Sequence, residues 1–447
     1  MYVLFWCARR TPTENSGERN MEMTDYDLKI KRYRRFLYII LAGGLIALMA
    51  AAYIDYWRKV PSTIKIRAGI EQELDFHVPV SGEIYQEEAV ESLSTGVESL
   101  HVDFSSGVTV KANQIDHYKM DLKLFGILPY KSVDIQVIQD KMLMPSGIPI
   151  GIYVKTSGVL VVGIGEFENE QGETISPAKY ILQTGDYILD VNGEKVENKK
   201  QFVQMIADSE GKEMIMTLRR GEEITEVKIK PEGNPNGDWK LGIWIRDNAQ
   251  GIGTLTYVDT DETFGALGHG INDVDTSTLM QLEEGALYKT EIIGITRGED
   301  GAPGELTGYI EYENENVIGE ITENTAEGIF GTCKEEIVQQ NSFEPIPIAL
   351  KQEVVIGPAQ IICSVTGEPK YYDISIEELH LEEGNINRGL VIKITDEELL
   401  ALTGGIIQGM SGSPIIQNGK LVGAVTHVLV QDSASGYGIF IENMLVQ

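Results

Sequence analysis

The pattern of apolar and polar positions changes character along the chain. Residues 36–54, FLYIILAGGLIALMAAAYI, carry no charge. Their length is close to the ~20 residues that cross a bilayer core as one helix. Between 60 and 145, apolar residues recur at every second position in stretches such as YKMDLKLF and KSVDIQVI. That is the β period, and turn signals at 128–129 and 145–147 interrupt it. A β-rich membrane-proximal region is therefore expected over 55–145. Residues 146–231 open on an apolar, strand-like run, SGIPIGIYVKTSGVLVVGI. A short helix is expected over 176–183, then the strand YILDVNG, whose Asn192-Gly193 is a hairpin signal. A helix over 199–207 places Phe202, Met205 and Ile206 on one side, and IMTLRRGEEITEVKIKPE reads as a closing strand pair. After the polar linker EGNPNGD, residues 239–447 alternate short apolar strands with glycine-rich turns, which predicts a barrel pair or sandwich. One helical signal stands out there, TDEELLALTGG, with Thr395 as its expected cap. The fold class is mainly β.

Charge sets the orientation. Lys29, Lys31, Arg32, Arg34 and Arg35 precede the apolar span and outweigh the basic residues after it. The positive-inside rule then keeps residues 1–35 in the cytoplasm and exports the rest. A cleaved signal peptide is the rival reading, with an A-x-A site at Ala50–Ala52. The apolar stretch is longer than the ~7–15 residues of a signal core, which favours a retained anchor. Residues 1–20 look unlike the rest, and Met21 or Met23 is an alternative start. The whole chain has a net charge of −31, a surface that repels nucleic acid and anionic lipid. Cys7, Cys333 and Cys363 form no metal-binding pattern, and the latter two read as buried free thiols, with a disulfide between them as the alternative. No metal or cofactor is expected. His77, His101 and His117 read as surface or packing residues.

The stretch GGIIQGMSGSP at 404–414 carries the candidate chemistry. A serine hydroxyl attacks an amide only with a base beside it and donors for the oxyanion. Glycines around Ser411 let the backbone approach a substrate and turn its N–H groups inward. The form G-x-S-G-x-P resembles the chymotrypsin-like serine proteases, which implies Ser411 as nucleophile and the Gly409 and Ser411 amides as donors. Ser413 is the weaker alternative. His269, between glycines in FGALGHGI, is the expected base; His427 is second, and His380 reads as exposed. Asp396 is the expected orienting acid, with Asp273 and Asp275 as competitors that spacing alone does not separate.

Two resemblances sharpen these expectations. The run GD-x-I-x-x-V-N-G-x-x-V at 185–196 resembles a PDZ domain of the permuted bacterial type. It implies a peptide-binding unit over 146–231, with Ile150, Gly151 and Ile152 as the carboxylate-binding loop. The segments DWKLGIWIRDNAQGIGTLTYVD, FGALGHGINDVDT and TGGIIQGMSGSPIIQNGKLVGAVTHVLVQDSASGYGIFIENML resemble the stage IV sporulation protein B peptidases. That resemblance spans roughly 60–447. It implies a chymotrypsin-like double barrel over 239–447 and a triad of His269, Asp396 and Ser411. It further implies export to the space between forespore and mother-cell membranes and self-cleavage. The implied substrate is a membrane-anchored inhibitory partner of an intramembrane metalloprotease, whose release activates a late sigma factor. The rival readings are a catalytically silent peptide-binding scaffold and a general extracytoplasmic quality-control protease.

Overall fold

The computed structural model describes residues 25–445 except 75, 77, 87–99, 105–106, 113 and 382–383. Cys7, Met21, Met23 and His77 lie outside the described residues. The apolar span lies within a single helix, Asp25–Lys59, long and apolar enough over Ile30–Lys59 to cross a membrane. Among the described residues, the chain up to Trp57 makes one unit and the chain from Arg58 the other.

The chain after the helix is β-structure, as the alternating pattern predicts. A five-stranded sheet comes first. In it Thr63–Arg67 pairs in parallel with Leu128–Ile138. This sheet is tied by charge to residues 348–353. The Arg67 guanidinium donates to both oxygens of Glu353 at 2.7 Å and to the Ile348 carbonyl at 2.7 Å. Burial opposes ionisation of Glu353, but the bonds from Arg67 outweigh it and hold the carboxyl down at about 2.

Two long strands organise the rest. Pro149–Ile164 and Ile243–Val258 run antiparallel beside each other over most of their length. Their outer halves belong to the PDZ-like sheet: residues 159–160 pair with Tyr187–Val191, which continues into Met214–Arg220 and Glu223–Ile229. Helix Lys199–Asp208 packs Phe202 and Ile206 onto that core, capped by Asn198, whose side chain accepts from the Gln201 N–H. The expected helix at 176–183 is instead a run of hydrogen-bonded turns.

The inner halves of the same strands build a barrel. Pro149–Ile164 pairs with Leu282–Thr296, then Val317–Thr325, Gly328–Cys333, Thr263–Ala266 and Ile243–Val258, which returns to the first strand and closes the ring. A second closed barrel follows, formed by Gly357–Cys363, Lys370–Leu379, Leu390–Ile394, Asp432–Phe440, Lys420–Leu429 and Pro414–Gln417. The inward-facing apolar residues of each barrel form a separate core. Alternation along each strand sends every second residue to its core, and closure removes the open edges. The PDZ-like unit and the first barrel therefore share two continuous strands, where the sequence suggested a simple boundary near 231.

This sharing corrects the expected carboxylate loop. Ile150, Gly151 and Ile152 are mid-strand, paired to residues 251–253 on one side and to 287–289 on the other. Ile150 is fully buried. A strand hydrogen-bonded on both edges has no groups left for a peptide.

Candidate active site between the two barrels

The cleft between the barrels is a cavity of about 430 Å³. Residues 249–252, Leu267 and residues 269–272 line it from the first barrel, and residues 406–409, Ser411 and 426–428 from the second. His269 and Ser411 thus come from different barrels, 142 positions apart in sequence, and open into one space.

The nucleophile turn is built from backbone. Met410 N–H donates to the Ile407 carbonyl and Ser413 N–H to the Met410 carbonyl, which makes two overlapping turns. Gly409 and Gly412 take the left-handed region with φ of 97° and 96°. At Gly412 a Cβ would lie 2.0 Å from the Thr254 carbonyl oxygen and 2.6 Å from the Leu267 nitrogen. Only glycine fits there. Among the hydrogen bonds of the described residues, none uses the N–H of Gly409 or of Ser411. Two main-chain donors at the cleft with no internal acceptor are the arrangement that an oxyanion requires. The Ser411 hydroxyl donates to the Thr426 carbonyl at 2.7 Å.

The histidine is set by an equally constrained turn. Leu267 and Gly268 take φ of 70° and 69° in succession. Leu267 occupies the space left by Gly253, where a Cβ would meet its Cδ2 at 2.1 Å. The Gly268 carbonyl accepts from Asn387 Nδ2 at 2.6 Å, and the Asn387 carbonyl accepts from Thr426 Oγ1 at 2.6 Å. Asn387 thereby joins the turn before His269 to the strand that receives the Ser411 hydroxyl, a link with no motif to betray it in sequence. His269 Nδ1 lies 2.9 Å from the Gly270 carbonyl. A carbonyl can only accept, so Nδ1 carries the proton and Nε2 is left free as a base. Burial lowers the His269 pKa, so the ring is neutral at pH 7. Its ring packs on that of His427, with centroids 4.9 Å apart. Burial, then the nearby His269 and Arg388, push His427 down to about 4.

The expected acid is elsewhere. Asp396 is the N-cap of helix Glu397–Thr403, a role assigned from sequence to Thr395. Its Oδ1 accepts from the Leu399 N–H at 2.9 Å and its Oδ2 from the Asp373 N–H at 3.3 Å. It does not line the cleft. Asp273 and Asp275 are both held by Arg246, Asp275 at 2.7 Å. Among the described residues no carboxylate hydrogen-bonds to His269. Ser413 is fully buried and lies outside the cavity lining. His380 is exposed and contacts Glu378. Cys333 and Cys363 are free and buried, their thiols pushed up by burial to about 11 and about 12.

A two-barrel fold with a serine, a histidine and unengaged amides in the interbarrel cleft defines a serine peptidase domain. Residues 237–445 match the model of the SpoIVB peptidase S55 family, and residues 170–220 that of the PDZ domain. The carboxy-terminal half of the chain belongs to the SpoIVB peptidase S55 family, preceded by a PDZ domain. One curated relative, the probable membrane metalloprotease ARASP2 of Arabidopsis thaliana, is 24% identical over 144 residues. That match spans 31% of this chain and 31% of the relative. Among solved structures, the PDZ domain of an SdrC-like protein from Listeria monocytogenes is 21% identical. It covers 21% of this chain and 90% of its own, with a TM-score of 0.17. The inactive form of the Rv3671c protease, from M. tuberculosis, is 13% identical. It covers 44% of this chain and 82% of its own, with a TM-score of 0.26.

Proposed function

We propose that this chain is a membrane-anchored serine endopeptidase of sporulation signalling, with Ser411 as nucleophile and His269 as general base. His269 Nε2 takes the hydroxyl proton as Oγ attacks the scissile carbonyl, then returns it to the leaving amine. The Gly409 and Ser411 amides receive the oxyanion. The Gly270 carbonyl, not Asp396, holds the imidazole tautomer. The observation that carries this reading is the meeting, in one interbarrel cleft, of Ser411, His269 and two amides with no acceptor among the described residues.

The substrates in this reading are the chain itself and a membrane-anchored inhibitory partner of an intramembrane metalloprotease, whose cleavage leads to late sigma factor activation. The family of the peptidase domain and the apolar helix near the N-terminus support it. Cleavage takes place between the forespore and mother-cell membranes.

The PDZ domain takes a peptide terminus in a groove between helix Lys199–Asp208 and the start of strand Ile243–Val258. The groove is a cavity of about 760 Å³, lined by Phe202, Val203 and Ile206 and by residues 239–245. Gly242, with φ of 71°, makes the turn into the strand, and its N–H has no acceptor among the described residues. Lys240, which has no ion-pair partner among the described residues, lines the same cavity and suits a carboxylate.

Intact mass of the wild-type chain and of Ser411→Ala, expressed identically, tests the peptidase reading. A shortened wild type beside a full-length variant is expected. If both stay intact and neither cuts an added protein, the chain is a silent peptide-binding scaffold. Many cuts in any unfolded protein, with none in a folded one, point to quality control instead.

A further inference from the structure

The strand that walls the peptide groove is also the strand from which the nucleophile turn hangs. Beginning at the groove, Ile243–Val258 pairs there only with residues 160–164 among the described residues. The Gly165 N–H donates to Gly242 O, and Val161 spends its N–H on Asp186 and its carbonyl on Gly185. In an antiparallel pair, bonded and non-bonded positions alternate. Ile243 and Ile245 therefore turn their N–H and C=O groups to the open edge, where a peptide adds as a further strand.

Nine residues beyond Ile245, about 30 Å at the rise of a strand, the same chain reaches the back of the nucleophile turn. Thr254 N–H donates to the Ser411 carbonyl at 2.9 Å. Thr254 Oγ1 donates to the Gly409 carbonyl at 2.8 Å, and Thr256 Oγ1 to the Gly412 carbonyl at 2.8 Å. Three of the four carbonyls from Gly409 to Gly412 are thus held by two threonines of one strand. Both threonines are buried. The turn has two uses for its hydroxyl. As the structure stands, Ser411 donates to the Thr426 carbonyl; for attack the same proton must go to His269.

We propose that Thr254 and Thr256 are positioning residues that register the nucleophile turn on the groove strand. A peptide with a free carboxylate and an apolar last residue, added at residues 243–246, then raises the reactivity of Ser411 through them. The occupant follows from the apolar lining, the open strand edge, the unengaged Gly242 amide and the unpaired Lys240. This inference rests on the peptide-binding reading above and adds the coupling.

The test uses the full chain in detergent and octapeptides ending in Val, Leu, Ile or Phe. Binding is read from tryptophan fluorescence, since Trp239 and Trp244 line the groove. Reactivity is read as the rate at which a fluorophosphonate labels Ser411, which needs no knowledge of the natural substrate. At saturating peptide the labelling rate should rise about fivefold or more, within the usual range of coupling between sites. Thr254→Val should bind peptide as wild type does and lose the rise, while Thr254→Ser, which keeps the hydroxyl, retains it. A merely structural threonine would lower labelling with and without peptide alike and leave the ratio unchanged, which overturns the proposal. So does wild-type binding with no change in rate. If none of the peptides binds, the peptide-binding reading itself fails, and the coupling with it.

Discussion

Two glycine turns of this molecule look alike in sequence and do different work. Leu241-Gly242-Ile243 and the run from Gly409 to Gly412 both place left-handed glycines beside backbone groups that have no partner among the described residues. At the first, an open strand edge extends the unengaged amides, which suits it to receive a chain and hold it. At the second, a hydroxyl sits among the amides and a histidine from another barrel lines the same cleft, which suits it to receive a carbonyl and attack it. The lesson is that a glycine turn gives access, while its neighbours in space decide what the access is for.

The sharpest way to break this comparison is Gly412→Ala. The added Cβ would overlap the Thr254 carbonyl oxygen, so the turn must open and the amides move away from the oxyanion. Fluorophosphonate labelling should fall by ~10²–10³ or more, the effect of losing an oxyanion donor. Asp396 comes next, because two roles predict different outcomes. In a triad, the aspartate-to-asparagine change costs ~10⁴ in rate by setting the wrong tautomer. As a helix cap, Asp396→Asn keeps the acceptor and should leave labelling within about threefold of wild type, while Asp396→Ala should lower stability by about 1 kcal/mol. Chemical denaturation and labelling rates on the two variants separate the roles.

The pH dependence is a finer probe. Burial lowers the His269 pKa, so the neutral base persists below the ordinary histidine range near ~6.5. Labelling should hold steady from neutral pH into mild acid and fall only as the pH passes below that range. A fall centred at or above 6.5 would mean that the ring is solvated or paired with an acid. The smallest effect is expected at Gly185, whose φ of 96° equals that of Gly412 but which has open space where a Cβ would go. Gly185→Ala should cost about 1 kcal/mol in stability and leave labelling alone. The two glycines together separate the cost of conformation from the cost of collision.

The same contrast explains what was legible beforehand. Period-two alternation marked the strands, and the 19-residue uncharged span marked the anchor, because both are local patterns. Ser411 stood out because its chemistry and its glycines are adjacent in sequence. His269 could be picked from only six histidines, and its strained Leu267-Gly268 turn carried a glycine signal. The loop expected at Ile150-Gly151-Ile152 is a strand paired on both edges. That run and Leu241-Gly242-Ile243 both read apolar-Gly-apolar, and only the pairing of neighbouring strands tells a free edge from a double-bonded one. The cap formed by Asp396 was hidden for a related reason. A carboxylate two residues from Ile394 and just ahead of Glu397 and Glu398 fits a cap as well as a triad, and spacing holds no record of which backbone N–H it meets. Asn387 and Thr254 act through carbonyls far away in sequence and left no local sign at all.

The central claim is that Ser411 is the activated hydroxyl of the interbarrel cleft. Fluorophosphonate treatment of the full chain, followed by peptide mapping by mass spectrometry, tests it most directly. The account predicts one adduct, on Ser411, absent from Ser411→Ala and strongly reduced in His269→Ala. An adduct on another residue, or undiminished labelling of Ser411 when His269 is replaced, would contradict it.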